Sequence, residues 1–162
     1  MRLAILLVVA SLFSAVTVAA DVPKRKSGLW HVVMTAEGAP KMQFHECVDR
    51  DSDDLATPEE GTTCSKFEVR RQGASYVVDS VCKEDGSTAT TRSVLTGNFE
   101  SAYQIESKMS FRPPMQGVAE IVQKVEARWM GTACKPGQKP GDMDLVDTPA
   151  SGPAPKGAQK KR

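Results

Sequence analysis

Four carboxylates in the middle of the chain have the spacing of a calcium-binding loop, at positions 1, 3, 5 and 12 of that pattern. They are Asp49, Asp51, Asp53 and Glu60. Such a loop surrounds one hard cation with oxygen ligands, but it needs glycine at its sixth position, where this chain has Asp54. A solvated acidic insert, in which Asp51-Ser52-Asp53 caps a short helix, explains the same residues. The sequence therefore predicts either a weak calcium site or an acidic insert without a ligand.

The two histidines of the chain, His31 and His45, lie at equal distances from Gly38 on consecutive predicted strands. In a symmetric hairpin they face each other, with Cβ atoms about 5 Å apart. Two imidazoles suit zinc or copper, and Glu46 or an aspartate of the insert would be the third ligand. A pair of exposed histidines without a metal is the alternative.

Catalytic motifs are missing from the sequence, which has no Gly-x-Ser-x-Gly, glycine-rich phosphate loop, Cys-x-x-Cys or His-Glu-x-x-His. The four cysteines are Cys47, Cys64, Cys82 and Cys134. In an exported chain, an even number of cysteines indicates disulfides rather than catalytic thiols. We therefore expect a protein that is not an enzyme and that needs no cofactor.

The first twenty residues have the features of a secretory signal peptide. Arg2 precedes an apolar run, and Val18-Ala19-Ala20 supplies the small residues of a cleavage site. We expect cleavage near Ala20, a periplasmic or secreted mature chain, and no transmembrane segment after cleavage. The full chain has 21 basic and 20 acidic residues, and cleavage removes Arg2. The mature chain therefore has 20 of each and a net charge of about zero, so general affinity for nucleic acid is not expected.

After the leader, apolar residues recur at every second position, which is typical of antiparallel strands. The predicted strands cover residues 29–36, 41–48, 64–71, 75–83, 87–99, 103–112 and 118–130. Tight turns between them, such as Asp85-Gly86 and Pro113-Pro114, indicate a seven-stranded meander curled into a half-barrel or a closed barrel. The predicted fold class is therefore all-β, with one short helix in the insert.

The predicted β-rich domain covers residues 28–134, with 21–27 as a short lead-in. Residues 135–162 are rich in proline and glycine and cannot bury enough apolar surface to offset their ordering entropy, so we predict disorder there. Two basic clusters, Lys24-Arg25-Lys26 and Lys160-Lys161-Arg162, could contact anionic lipid or polysaccharide, or could simply be solvated.

Strand direction favours one pairing of the cysteines. Cys64 opens one strand and Cys82 closes the next, so both lie at the same end of the sheet. Cys134 follows three further strands and therefore lies at the opposite end, where Cys47 can reach it if the insert crosses the sheet. The favoured disulfides are Cys64–Cys82 and Cys47–Cys134.

The register of the hairpin between Cys64 and Cys82 requires an irregularity. In a regular antiparallel pair, the numbers of paired residues have a constant sum. Pairing the apolar faces, as for Val69 and Val78, requires an odd sum. The sum for Cys64 and Cys82 is even, so both pairings cannot hold in one regular register. A bulge near Gly73 or Cys64 would reconcile the two registers.

Seven large apolar residues fall on one face of the predicted sheet. They are Trp30, Met34, Met42, Phe44, Met109, Phe111 and Trp129. Curvature gathers them on the concave side, where they form an ordinary core or line a pocket for an apolar small molecule or lipid. The flexible thioethers suit an irregular binding surface. The other function considered is a protein-interaction or inhibitor module for an envelope protein, acting through exposed loops and the acidic insert.

Four short motifs follow one another in an order found in one bacterial family. They are Gly28-Leu29-Trp30, Cys47-Val48-Asp49, the pair Cys64 and Cys82 around a hairpin, and Gly131-Thr132-Ala133-Cys134. This ordered set resembles the exported family known as domain of unknown function 3617. The resemblance implies a periplasmic or secreted β-rich domain without an established activity, and it supplies no functional residue.

Overall fold

Alternation of apolar and polar residues produces nine β-strands in the computed structural model, which describes residues 18–58 and 60–146. The strands are β1 (Val18–Ala19), β2 (Gly28–Ala36), β3 (Met42–Val48), β4 (Thr63–Gln72), β5 (Ser75–Glu84), β6 (Ser87–Gly97), β7 (Ala102–Met115), β8 (Val118–Gly131) and β9 (Met143–Leu145). They form one antiparallel sheet, which confirms the all-β fold class. The part of the chain described contains no helix long and apolar enough to cross a membrane.

The strand order in the sheet is β1-β4-β5-β6-β7-β8-β2-β3-β9. Strands β4 to β8 are a meander, as predicted, whereas the β2–β3 hairpin lies beyond β8 because β2 pairs with β8. The sheet ends at β1 and β9, so it is an open half-barrel and not a closed barrel. The acidic insert, residues 49–62, carries the chain from β3 across the sheet to β4.

The predicted short helix in the insert is not formed: the described residues of this segment are turns, bends and irregular backbone. Ala56 has a φ of 61°, which belongs to the left-handed region and is incompatible with a right-handed helix. Pro58 follows two residues later, and a proline disfavours helical backbone at the residue before it. An aspartate cap without a run of helical residues behind it therefore produces turns.

The segment that follows Cys134 is ordered as far as Val146, so the prediction of disorder from Lys135 is wrong for residues 135–146. Strand β9 pairs with β3, the amide of Gly141 donates to the carbonyl of Cys47 at 2.8 Å, and that of Val146 donates to Gln43 at 2.8 Å. The edge of β3 thus supplies hydrogen bonds that composition does not reveal. Residues 147–162 and the predicted leader residues 1–17 lie outside the described residues.

The favoured disulfide pairing is present, with bonds between Cys47 and Cys134 and between Cys64 and Cys82. The register of β4 against β5 shifts between Cys64 and Lys66, so Ser65 is the extra residue. This is the bulge that the register argument predicted near Cys64.

The last predicted turn lies three residues later than expected. Strand β7 continues through Pro113-Pro114 to Met115, and the chain reverses at Gln116-Gly117. The two prolines lie where the β7–β8 register shifts between Ser110 and Met115. Such an irregularity tolerates residues that cannot donate a ladder hydrogen bond.

Gly28 opens β2 in a backbone conformation that explains why the Gly-Leu-Trp motif begins with glycine. Its φ is 128°, and a Cβ atom there would lie 2.8 Å from Nε1 of Trp129 and clash with the carbonyl oxygen of Gly131. A side chain at position 28 is therefore excluded by both backbone conformation and space.

Substitution Gly28→Ala should lower the free energy of unfolding by about 3 kcal/mol, the upper end of the cost of a strained backbone residue. The matched control is Gly131→Ala on the neighbouring strand, because a Cβ there meets no atom within 4 Å. Urea unfolding of both variants measures the difference. Equal stability of the two variants would show that the close approach at Gly28 does not constrain the fold.

Candidate functional site

The inner face of the sheet, defined as the face that carries Trp30, contains the hydrophobic core. Its buried members are Trp30, Val32, Phe44, Val48, Val78, Leu95, Phe99, Tyr103, Ile105, Val125 and Ala127. Trp30 and Leu95 are 0% exposed, which a single sheet achieves only by curving around its own side chains. Leu55 and Ala56 of the insert pack against the same core.

All seven of the predicted apolar residues lie on the inner face. The register pairs Trp30 with Trp129 and Met34 with Met42. Trp30, Phe44 and Phe111 are buried, whereas Met34, Met109 and Trp129 are half-buried and Met42 is 46% exposed. Only the last four are accessible to a ligand.

Beyond the core, the inner face carries a row of side chains that are not buried, which we name the open band. Its members pair in register across β4 to β8 and are Phe67, Ser80, Thr91, Met109 and Ile121. Phe67 is exposed and the other four are half-buried. Next to the band, the hydroxyls of Ser93 and Ser107 form a hydrogen bond of 2.8 Å. The open band is therefore apolar with a few hydroxyl groups.

A buried ionic cluster closes the other end of the inner face. Nη1 and Nη2 of Arg25 donate to the two carboxylate oxygens of Glu46 at 2.6 and 2.8 Å. Nε and Nη2 of Arg25 donate to Oδ1 of Asp53 at 3.0 and 2.8 Å, and Nη1 lies 3.2 Å from the hydroxyl of Tyr103. The cluster ties the lead-in and the insert to strands β3 and β7.

The cluster shifts the ionisation of its members. Burial raises the pKa of Tyr103 to about 12, a shift that the Arg25 charge opposes and Glu46 supports. Burial alone would lower the pKa of Arg25, but the hydrogen bonds to Glu46 and Asp53 raise it above its ordinary value. Arg25 is therefore a fixed positive charge, and Tyr103 a neutral hydroxyl at physiological pH.

The ionic cluster bears on two interpretations of the sequence, the calcium loop and the basic cluster at residues 24–26. The side chain of Asp53 is 0% exposed, and both of its carboxylate oxygens accept hydrogen bonds from Arg25 rather than facing the other carboxylates of the loop pattern. Oδ2 of Asp49 accepts instead from the hydroxyl of Ser52 at 3.1 Å. Asp51 and Glu60 are exposed, and no group of three or more metal-ligating side chains is gathered anywhere in residues 18–58 and 60–146. The positive charge that contacts Asp53 is thus the guanidinium of Arg25.

In the basic cluster at residues 24–26, each of the three side chains has a specific contact within the domain. Arg25 is buried, Nζ of Lys24 donates to the carbonyl of Asp51 at 2.7 Å, and Nζ of Lys26 lies 4.0 Å from the ring centroid of Trp129. These contacts hold the lead-in against the sheet. The second cluster, Lys160-Lys161-Arg162, lies outside the described residues.

A family model described as "Protein of unknown function (DUF3617)" matches residues 25–134, about two thirds of the chain. The chain belongs to the DUF3617 family. The DUF3617 match begins at Arg25, the centre of the ionic cluster, and ends at Cys134, the last disulfide cysteine. A search of the curated proteins and of the solved structures found no match.

The opposite, outer face of this DUF3617 domain carries the two histidines. His31 and His45 pair in register on β2 and β3, as predicted, and their ring centroids are 5.4 Å apart. A groove of about 840 Å³ runs beside His31 and is lined by charged side chains such as Lys41, Glu126 and Arg128 and by apolar ones such as Val33 and Ala102. The outer-face groove is thus lined by charged and apolar side chains together, whereas the open band of the inner face has no charged side chain.

Proposed function

We propose that this DUF3617 domain is an exported, non-enzymatic module that binds an apolar small molecule or a lipid chain on its inner face. The observation that carries the proposal is the difference in burial between the side chains at the two ends of the inner face. Trp30 and Leu95 at the core end are fully buried, whereas Met109, Ile121 and Phe67 in the open band are not.

The composition of the open band suits a ligand of this kind. Binding sites for small apolar molecules combine apolar side chains with a few polar groups that orient the ligand. Thr91 and Ser80 supply hydroxyls between Phe67 and Met109. Met34, Met42 and Met109 adapt to irregular shapes because their thioether chains are flexible.

A binding role without catalysis agrees with the structural role of the buried ionisable side chains, which contact one another. Arg25, Glu46, Asp53 and Tyr103 are the most deeply buried set of ionisable side chains described, and they hold one another. None of them is left to act on a substrate. Export is supported by the two disulfides, which are typical of oxidising compartments, and by the predicted leader.

The proposal is tested by mass spectrometry of an organic extract of the protein purified from its native envelope. A stoichiometric lipophile is expected from the unmodified protein. It should be lost from Met42→Glu and Phe67→Glu, which place a charge on the inner face. The matched control is Val122→Glu, because Val122 is 46% exposed, like Met42, but points to the outer face. An extract without lipophile, or equal retention in all three variants, would contradict the proposal.

The alternative function, a protein-interaction module, is favoured by the edge of β4. There, Val18 and Ala19 pair with Arg71 and Arg70, and the amide of Ala20 donates to Val69 at 3.1 Å. Predicted cleavage after Ala20 removes these partners and leaves an open strand edge, to which an extended segment of another protein can add. The acidic insert is less suited to this role because Arg25 anchors it.

The protein-interaction function can be tested by a substitution at the open edge of β4. Residues 69 and 71 direct their backbone groups to the same side of β4, away from β5, because the carbonyl of Val69 accepts from Ala20. Arg71→Pro therefore removes a donor from the open edge while the β4–β5 ladder keeps its hydrogen bonds. A protein partner that copurifies in stoichiometric amount and is lost only from Arg71→Pro favours the interaction module over the lipophile-binding module.

A further inference from the structure

The paired histidines on the outer face have a geometry that the proposed binding function does not use. His31 and His45 face each other across β2 and β3, with ring centroids 5.4 Å apart and planes tilted by 48°. Two imidazoles at this separation can bind one metal ion between them, since each metal–nitrogen distance is about 2.0 to 2.1 Å.

One nitrogen of this pair lacks a partner. Nδ1 of His45 is buried and has no hydrogen-bond partner among the described residues. A buried polar atom without a partner costs free energy, and in native proteins a water molecule or an ion commonly satisfies it. Nδ1 of His45 is therefore a ring nitrogen that no described side chain or backbone group occupies.

Strand β9 brings a carboxylate to the same place. Asp144 pairs in register with His45, so three consecutive strands present His31, His45 and Asp144 side by side. Asp144 is at present paired with Nζ of Lys135 at 3.5 Å. The sequence suggested Glu46 or an insert aspartate as the third ligand, but Glu46 and Asp53 are held by Arg25.

We propose that His31, His45 and Asp144 bind one divalent transition-metal ion, copper(II) in preference to zinc(II). These three side chains are not yet gathered into a closed site, so Asp144 must exchange the Lys135 ammonium for the ion. Two nitrogens and one carboxylate oxygen on a sheet surface leave positions for water, which suits the tetragonal N,O coordination of copper(II). Divalent copper also binds such ligands more tightly than zinc.

Isothermal titration of the oxidised full-length mature chain with copper chloride at pH 7.5 tests the proposal. One equivalent should bind, and its electron paramagnetic resonance spectrum should show two nitrogen ligands. His31→Ala and His45→Ala should each weaken binding more than about tenfold, because even residues behind the ligands are worth about ten- to a hundred-fold in affinity. Asp144→Asn should weaken binding, and Lys135→Gln should strengthen it.

The Lys135→Gln variant distinguishes specific copper binding by Asp144 from adventitious copper binding elsewhere on the surface. Removing a competing cation tightens binding only if Asp144 is a ligand, whereas loss of a surface charge elsewhere, as in Lys108→Gln, should change nothing. Copper affinity that is unchanged in the His31→Ala/His45→Ala double variant, or zinc binding tighter than copper binding, would overturn the proposal. Thermal unfolding of each variant without metal checks that it is folded.

Discussion

Replacement of Arg25 by methionine should lower the free energy of unfolding by about 3 to 5 kcal/mol, the cost of removing one partner from a buried ion pair. The side chain of Arg25 is 4% exposed, and it is the cation that both Glu46 and Asp53 contact at hydrogen-bond distance. Without it, two carboxylates remain at a site from which water is excluded, so the loss reflects uncompensated charge rather than one missing contact. Urea unfolding with tryptophan fluorescence measures the change.

Two further variants make this expectation specific. Lys24→Met removes an adjacent, exposed cation together with its hydrogen bond to the carbonyl of Asp51, and it should change the unfolding free energy by less than about 1 kcal/mol because that contact is exposed to solvent. Adding Glu46→Gln and Asp53→Asn to Arg25→Met should restore a large part of the stability, because the stranded charges are then neutral. Arg25→Met as stable as Lys24→Met would show that the ionic cluster does not hold the insert to the sheet.

Removal of the disulfide between Cys47 and Cys134 by serine substitution should cost about 4.5 kcal/mol on a chain-entropy estimate. The cysteines are 87 residues apart, and the bond therefore restricts most of the unfolded domain. Cys64 and Cys82 are 18 residues apart, so their removal should cost about 3 kcal/mol. A domain of this size is stable by only about 5 to 15 kcal/mol, so either loss is large.

The two serine double variants should also differ in where the structure loosens. Cys134 precedes the segment that docks β9, and the amides of Gly141 and Val146 donate to β3. Without the Cys47–Cys134 bond these amides should exchange with deuterium faster, whereas loss of Cys64–Cys82 should leave them protected. Equal stability loss in both double variants, or unchanged exchange at Gly141, would argue against this account.

The regular part of the fold was predictable from local patterns. Alternation located the seven central strands because one face of a curved sheet is buried and the other is not. Strand parity selected the disulfides, since Cys64 and Cys82 flank a single hairpin. The bulge at Ser65 followed from the conflict between that disulfide and the pairing of Val69 with Val78.

The remaining features depend on contacts between distant residues, which no local pattern encodes. Arg25 lies between two lysines and has the appearance of a solvated cation, and only the fold brings it to Glu46 and Asp53. The helix in the insert was predicted from capping residues alone. Strand β9 is short and exposed, and its order comes from the edge of β3 rather than from its own side chains.

The most direct test of the central claim, an exported domain braced by two disulfides, is intact-mass analysis and peptide mapping of the protein recovered from its native host. The account predicts a chain that begins at Asp21 and has four hydrogens fewer than its reduced form, with Cys47 linked to Cys134 and Cys64 to Cys82. A chain that retains its leader or carries four free thiols would contradict it.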